Sequence, residues 1–334
     1  MNKIALNGYG RIGRAFHRIT EANNGLEVIC INSRADVNSH VHLLKYDTVY
    51  GRFNGTAEVI DENNIKVNEK PVKVFIDKNP GEINWDDLGV EIVVEATGKF
   101  KDRDSCQKQL DTGAKKVVIS APGKDEDISI VMGVNQDLYD PNDHHIISNA
   151  SCTTNALALI VKVLIDEFGI DFMNVTTVHA VTKSQNILDG SHRKNLRIAR
   201  AAYESIIPSS TGASKAIAKI FPELSGKVIA KSIRVPVPTV SLLDISVCLE
   251  KSVDAEEVNE VIKRYSEGKL NGYLGYTEDP VVSSDFIGEN LTAVADLLLT
   301  KDIGDRMVNL SVWYDNEWGY TARLYDLVKY VGNH

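Results

Sequence analysis

The sequence has no C-x-x-C pair, no block of like charge, no long apolar run and no internal repeat. Each absence removes a class of protein. The four cysteines, Cys30, Cys106, Cys152 and Cys248, are scattered, which argues against a disulfide scaffold or a zinc site and for free thiols in a reducing, cytoplasmic setting. Lys and Arg do not cluster and the net charge is -9, so the basic footprint of a nucleic-acid binder is missing. No apolar stretch reaches about 18 residues, so no membrane span is expected. The opening MNKIALNGYG lacks a basic segment followed by an apolar one, and no signal peptide is expected. The eight histidines show no metal-ligand spacing, and no metal site is expected. What remains is ordinary globular material, 43% hydrophobic and 25% charged over 334 residues, a length that favours two domains.

The chain starts strand (Lys3 to Asn7), glycine turn, helix (Arg11 to Glu21), strand (Leu26 to Asn32), a βαβ unit with an expected right-handed crossover. Apolar strand-like runs follow at Val72 to Ile76, Val90 to Ala96, Lys116 to Ser120 and His145 to Ser148, as in a parallel doubly wound sheet. Segment 50–88 reads as an antiparallel excursion. The texture changes near Asn149, where a helix is expected to begin and run to Phe168, with Leu157, Ile160, Val161 and Leu164 on one face. Long strands then recur at Met173 to Thr177, Val228 to Val235, Val240 to Leu249 and Met307 to Tyr314, and Gly319 to Tyr330 reads as an amphipathic helix. The expectation is an α/β protein: a Rossmann domain over 1–150, an α+β domain on a mixed or antiparallel sheet over 151–316, and a C-terminal helix, 317–334, returning to the first domain.

Gly8-Tyr9-Gly10-Arg11-Ile12-Gly13 is a G-x-G-x-x-G between strand and helix. Gly8 permits the tight turn, Gly10 lets the backbone approach a pyrophosphate, and Gly13 allows close helix–strand packing. The helix start offers free N–H groups and a positive dipole to phosphate. An acidic residue at the end of the second strand would accept from the ribose hydroxyls and repel a 2′-phosphate. Here Asn32-Ser33-Arg34 occupies that place. Ser33 removes the repulsion, Arg34 is placed to pair with a 2′-phosphate or to stand as a solvated charge, and Asn32 offers an amide to the ribose. Asp36 lies further into the loop.

Cys152, in Ser148-Asn149-Ala150-Ser151-Cys152-Thr153-Thr154-Asn155, falls near the expected helix start, where the dipole favours the reactive thiolate. Spacing alone does not separate this from a buried core thiol. His179 ends the strand Thr176-Thr177-Val178-His179 and is a candidate base, since a Cys/His pair needs only adjacency in space. The remaining seven histidines, among them His17 and His40, read as surface or capping groups.

At S-N-A-S-C-T-T-N the chain closely resembles the glyceraldehyde-3-phosphate dehydrogenase family. The likeness covers nearly the whole sequence: N-G-Y-G-R-I-G-R (7–14), H-L-L-K-Y-D-T-V-Y-G-R-F (42–53), V-V-E-A-T-G-K-F (93–100), G-A-K-K-V-V-I-S-A-P (113–122), I-I-P-S-S-T-G-A-S-K-A (206–216), R-V-P-V-P-T-V (234–240) and W-Y-D-N-E-W-G-Y (313–320). It implies that Cys152 attacks an aldehyde to form a thiohemiacetal, that His179 takes the proton and polarises the alkoxide, and that hydride transfer to NAD or NADP leaves a thioester which inorganic phosphate cleaves. By the same resemblance Thr182, Arg197 and Arg234 hold the phosphate of glyceraldehyde 3-phosphate, and Ser151, Thr153, Thr211 and Gly212 hold the attacking phosphate. Arg11, Ile12, Thr97, Ser120, Asn316 and Tyr320 join the dinucleotide site. The resemblance also implies a homotetramer acting in glucose metabolism, with metabolite ratios deciding between the glycolytic and the biosynthetic direction.

The chain departs from the family pattern at several positions. Ser33 replaces the acidic residue common in NAD-specific members, and Gly190-Ser191 stands where Leu-Pro is frequent. Both departures favour NADP competence, or dual use. Ser184 replaces an acidic residue or threonine, and Ala156 a second cysteine. Two other readings remain: an erythrose-4-phosphate dehydrogenase, disfavoured by the intact S-S-T-G at 209–212, and a non-catalytic binding protein on the same fold, disfavoured because thiol and base are both present.

Overall fold

The structure, a computed structural model, describes all residues except Arg193 and Lys194. It divides into two compact units, Met1–Ser151 with Thr321–His334, and Cys152–Tyr320.

The first unit opens with β1 (Asn2–Asn7), α1 (Arg11–Ala22) and β2 (Leu26–Ser33). Then come α2 (Val37–Lys45), the short pair β3 (Tyr46–Asp47) and β4 (Gly51–Arg52), and three strands, β5 (Ala57–Asp61), β6 (Asn64–Val67) and β7 (Lys70–Ile76). β8 (Ile92–Glu95), α3 (Arg103–Leu110), β9 (Lys116–Ile119), β10 (Ile128–Ser129) and β11 (Ile146–Ser148) complete the sheet, whose order is β10-β11-β9-β8-β1-β2-β7-β6-β5. Every pairing from β10 to β7 is parallel, while β7-β6-β5 run antiparallel. The excursion expected at 50–88 is therefore real, and its last strand rejoins the parallel sheet beside β2. β1 and β8 lie next to each other at the centre, and their residues Ile4, Ala5, Leu6, Val93 and Val94 are fully buried. On one side Ala5, Cys30, Trp85, Val93, Cys106, Val117 and Ile146 form a core cluster. Burial pushes the Cys30 and Cys106 thiols up to about 12, so both are inert packing groups. The C-terminal segment packs here too: Phe16 and Tyr325 rings lie 6.2 Å apart, and the Tyr325 hydroxyl donates to the Asn24 carbonyl at 2.8 Å.

The second unit begins with α4 (Cys152–Phe168) and β12 (Ile170–His179). It continues through β13 (Ile207–Ser209), α5 (Ala213–Ile220), β14 (Val228–Arg234), β15 (Ser241–Leu249), α6 (Ala255–Glu267), β16 (Leu274–Thr277), β17 (Ala293–Ile303) and β18 (Met307–Tyr314), and α7 (Trp318–Asn333) crosses the division. The sheet is mixed, in the order β13-β14-β12-β15-β18-β17-β16, with β14–β12 and β16–β17 parallel and the rest antiparallel.

Two expectations are corrected by α4. It starts at Cys152, three residues after Asn149, and it is not one-sided: residues 156–161 are all fully buried. α4 packs against α5 and α6 and against strands of the sheet, so over 153–161 no face is left for solvent. The histidines need a correction as well. His17 and His40 are buried, because the Tyr9 hydroxyl bonds His17 Nδ1 at 2.7 Å and the Tyr9 ring meets both imidazoles edge-on. Among the described residues, no helix is long and apolar enough to cross a membrane.

Candidate active site

The glycine turn in the first unit has the shape its sequence demands. Gly8 has φ +105°, and a Cβ there would lie 2.6 Å from the Ala96 carbonyl carbon and the Thr97 nitrogen. A Cβ on Gly13 would lie 2.2 Å from the Gly8 oxygen, so α1 packs onto the turn only because both are glycine. Gly10 is different: a Cβ there would meet nothing within 4 Å, and as the α1 N-cap it provides no side-chain acceptor. The turn is thus closed behind and open in front, and the first-turn N–H groups of α1 have no side-chain cap, which suits a pyrophosphate. Arg11 is held by Asp47 at 2.9 Å and lies 5.4 Å from the centre of the Tyr50 ring.

At the end of β2, the Asn32 amide is fully engaged. Its Nδ2 donates to Asn7 Oδ1 at 2.7 Å and to the Lys78 carbonyl at 2.8 Å, and its Oδ1 accepts from Lys78 N–H at 3.1 Å. Asn32 therefore pins the 78 turn to β1. Arg34 pairs with Asp77 at 3.2 Å, both side chains largely exposed, a pair worth little in water. Asp36 caps α2 through Ser39 N–H at 3.0 Å. Ser33 is half-buried, Thr97 is exposed at the turn after β8, and Ser120 follows β9, its N–H bonded to the Glu95 carbonyl at 2.9 Å.

In the second unit Cys152 is the first residue of α4, and its Sγ lies 3.6 Å from His179 Nε2, at the end of β12. The parallel register of β12 and β14 sets His179 beside Arg234, whose Nη1 is 2.5 Å from His179 Nδ1. Nδ1 is also 2.7 Å from the Ala180 carbonyl. One ring nitrogen cannot accept from Arg234 and donate to a carbonyl at once. We assign its proton to the Ala180 bond: Arg234 Nη1 has that same carbonyl as an acceptor at 3.2 Å, and Nε2 then faces the thiol with a lone pair.

Burial raises the Cys152 thiol above its usual value, partly offset by Arg234 and by bonds from Thr153. Burial, with Arg234 second, lowers His179 to about 3. Both shifts favour the neutral forms, a thiol facing an unprotonated imidazole. The Arg234 guanidinium is itself lowered by burial.

Three residues that the sequence does not single out for the site support this pair. Tyr314 OH bonds both Thr153 Oγ1, at 3.0 Å, and Thr177 Oγ1, at 2.7 Å. Ser241 Oγ accepts from Ala180 N–H at 3.1 Å and donates to Asn316 Oδ1 at 2.8 Å, so the backbone beside His179 and the buried Asn316 share one hydroxyl. Val240, just before Ser241, is buried with φ +65°, a strained conformation for a β-branched residue and a marker of a constrained site. Only long-range strand pairing brings these residues in, and no local signal carries that.

The other expected phosphate ligands are placed as follows. Thr182 Oγ1 bonds Ser184 Oγ at 2.9 Å beyond β12. Thr211 Oγ1 accepts from Ala213 N–H at 3.2 Å, and Gly212 is the N-cap of α5. Arg197 and Ser191 lie on exposed loop, and Ser151 precedes α4. Tyr320 is buried in the first turn of α7, which Asp315 caps through the Glu317 and Trp318 N–H groups at 3.0 and 2.9 Å.

A Rossmann unit with an open glycine turn, and an α+β unit presenting a cysteine–histidine pair at a helix start, define a class: dinucleotide-linked oxidoreductases with a thiol nucleophile. Comparison narrows it. Residues 2–103 match the glyceraldehyde 3-phosphate dehydrogenase NAD binding domain, and residues 151–316 match the C-terminal domain of the same family. The chain is 50% identical to a glyceraldehyde-3-phosphate dehydrogenase of Geobacillus stearothermophilus, over 99% of this chain and 98% of that one. Similar relatives of that name occur in Streptomyces coelicolor, 50% identical over 99% and 98%, and, as glyceraldehyde-3-phosphate dehydrogenase 1, in Bacillus subtilis, 49% identical over 98% of each. The chain belongs to the glyceraldehyde-3-phosphate dehydrogenase family.

Proposed function

We propose that this chain oxidises D-glyceraldehyde 3-phosphate to 1,3-bisphosphoglycerate with inorganic phosphate and NAD(P)+. The observation that carries the reading is Cys152 Sγ, at the start of α4, 3.6 Å from His179 Nε2. Sγ bonds to the aldehyde carbon as its proton passes to Nε2. The carbonyl oxygen becomes an alkoxide that accepts from Nε2–H and the Cys152 N–H, then takes the proton to give the thiohemiacetal. The nicotinamide dinucleotide, when bound, supplies the hydride acceptor. His179 removes the hydroxyl proton, and the sulfur is left carrying a thioester. A phosphate oxygen attacks that carbonyl, the C–S bond breaks, and the thiolate leaves towards the helix dipole and the Arg234 charge.

Arg234 gives the site an electrostatic link. Its charge depresses His179, so a phosphate held on the guanidinium makes Nε2 a better base. Thr182 and Arg197 join Arg234 on the substrate phosphate. Ser151, Thr153, Thr211 and Gly212 hold the second, with the Tyr314 hydroxyl bonded to Thr153 Oγ1 and fixing its position.

The dinucleotide belongs to the first unit, on Gly8, Gly10, Gly13 and the α1 start, with Arg11, Ile12, Thr97 and Ser120 as further contacts; Asn316 and Tyr320 are candidates for the nicotinamide by family resemblance. NADP is accepted at least as well as NAD, because Ser33 leaves no carboxylate at the end of β2 and Arg34 is tied only by an exposed ion pair. Asn32 contributes by spending its amide on holding the turn rather than by offering it to the ribose. The enzyme works in the cytoplasm as a homotetramer. Exposures of 73%, 77%, 82% and 71% for Ile187, Leu188, Leu196 and Ile206 support association through that loop.

Initial rates of NAD(P) reduction test the reading. Omitting aldehyde or phosphate should abolish steady turnover, kcat/KM should favour NADP, and Ser33→Asp should move the preference towards NAD. Phosphate-independent turnover would sink the phosphorylating reaction, and a strong NAD preference in the native enzyme would overturn the cofactor reading.

A further inference from the structure

Glu95 ends β8 in the middle of the first unit's sheet, 1% exposed, and takes no part in the chemistry above. Four donors converge on it. Oε1 accepts from Thr97 N–H at 2.9 Å and from Thr97 Oγ1. Oε2 accepts from Asn7 Nδ2 at 2.5 Å and from Gln109 Nε2 at 3.2 Å. Asn7 immediately precedes Gly8 and is tied in turn to Asn32. The Thr97 nitrogen that Glu95 holds is one of the atoms on which the Gly8 turn abuts. One carboxyl thus clamps the floor of the glycine turn, the turn after β8 and, through Asn7 and Asn32, the end of β2.

Gln109, on α3, adds a second property. It is fully buried, its Nε2 serves Glu95, and its Oε1 has no partner. A flip of the amide presents Oε1 to Glu95 instead. The ionised carboxylate is then served by the Gln109 donor and the protonated acid by the Gln109 acceptor. Asn7 and Thr97 keep their bonds in both states, since Thr97 Oγ1 already accepts from Lys99 N–H at 3.0 Å and has its proton to give.

We propose that Glu95 is a positioning residue for the dinucleotide, and that the Glu95–Gln109 pair exchanges a proton with solvent as the pyrophosphate binds at the adjoining turn. This rests on the dinucleotide reading of the first unit. The clamp has the same shape in both states, so charge decides: a negative carboxylate behind the turn repels the pyrophosphate and a neutral one does not. Burial raises the Glu95 carboxyl to about 7, against its four donors, which puts the exchange in the physiological range. The groups facing it are uncharged: Asn7 on β1, Thr97 after β8, and Gln109 and the Cys106 thiol on α3, with Asp102, Arg103 and Asp127 around Cys106.

Calorimetric titration of the full enzyme with NAD, from pH 6 to 8.5 in buffers of different ionisation enthalpy, tests this. NAD is the probe because a 2′-phosphate titrates with a pKa near 6 on its own. The expected result is affinity about five- to tenfold weaker above pH 8 than at pH 6, with uptake of up to about half a proton near pH 7.5. Glu95→Gln should bind NAD with no proton uptake and no slope, with KM for NAD flattened against pH and kcat unchanged in shape. Gln109→Met, which removes both amide groups, should move the midpoint while NAD still binds. Equal proton uptake in the native enzyme and Glu95→Gln overturns the proposal, as does an unmoved midpoint in Gln109→Met. A native enzyme that binds neither NAD nor NADP overturns the dinucleotide reading itself and the proposal with it.

Discussion

His17 gives the first unit a calculable sensitivity to acid. The side chain sits on α1 at 1% exposure, Nδ1 bonded to Tyr9 OH, and Nε2 without a partner. Burial, reinforced by Lys70, lowers the imidazole from 6.5 to about 3. The folded chain therefore keeps His17 neutral where the unfolded chain protonates it. Stability is whole above pH 6.5 and is lost as pH falls from there towards 3. Between pH 7 and pH 5 the loss from this one group is about 2 kcal/mol. His17→Phe removes it. The variant also strands the Tyr9 hydroxyl, a cost of about 1–3 kcal/mol that does not depend on pH in this range. The two effects separate cleanly: His17→Phe should be less stable at pH 7, yet lose about 2 kcal/mol less on going to pH 5. Urea unfolding followed by Trp85, which lies in the first unit's core, reads this unit alone once Trp313 and Trp318 are replaced by phenylalanine. Some slope will remain, because His40 beside Tyr9 is also buried and lowered. Parallel pH dependence of variant and parent would refute the reasoning.

Two further predictions concern the second unit. Cys152→Ser should reduce aldehyde oxidation by at least about a thousandfold, because an alcohol is a far weaker nucleophile than a thiol paired with imidazole, while dinucleotide affinity, measured by titration, stays intact. Arg234→Leu should raise the His179 pKa by removing the nearest positive charge, so the acidic limb of the kcat/KM profile moves to higher pH even as KM for substrate and phosphate rises. An acidic limb that stays in place would show that burial alone sets His179.

How much of this was legible beforehand depended on range in sequence. The glycine turn was readable because its three constraints, at Gly8, Gly10 and Gly13, act within six residues, and the structure shows a tight turn at Gly8, close packing at Gly13 and open space at Gly10. Cys152 and His179 were readable one at a time, through local motifs and the resemblance, but their approach was not. Their 3.6 Å approach is made by α4 packing on the sheet that ends in His179. β17 escaped notice because Leu297-Leu298-Leu299 breaks the alternation, and the register does shift between Asp296 and Lys301. Tyr314 and Ser241 were invisible for a deeper reason. They become neighbours of Thr153, Thr177 and Asn316 only once β12, β15 and β18 are paired in register, with Ser241 opposite Tyr314. His17 and His40 were misjudged because histidine carries no reliable burial signal. What buries them is the Tyr9 ring and hydroxyl, which the sequence shows merely as the variable middle of G-x-G. The residues that make the chemistry sit in motifs, and the residues that hold them in place are joined by sheet register. Support for a site is therefore the harder part to read from sequence, and it is where Glu95, bonded across β1 and α3 to residues 88 and 14 positions away, also lay hidden.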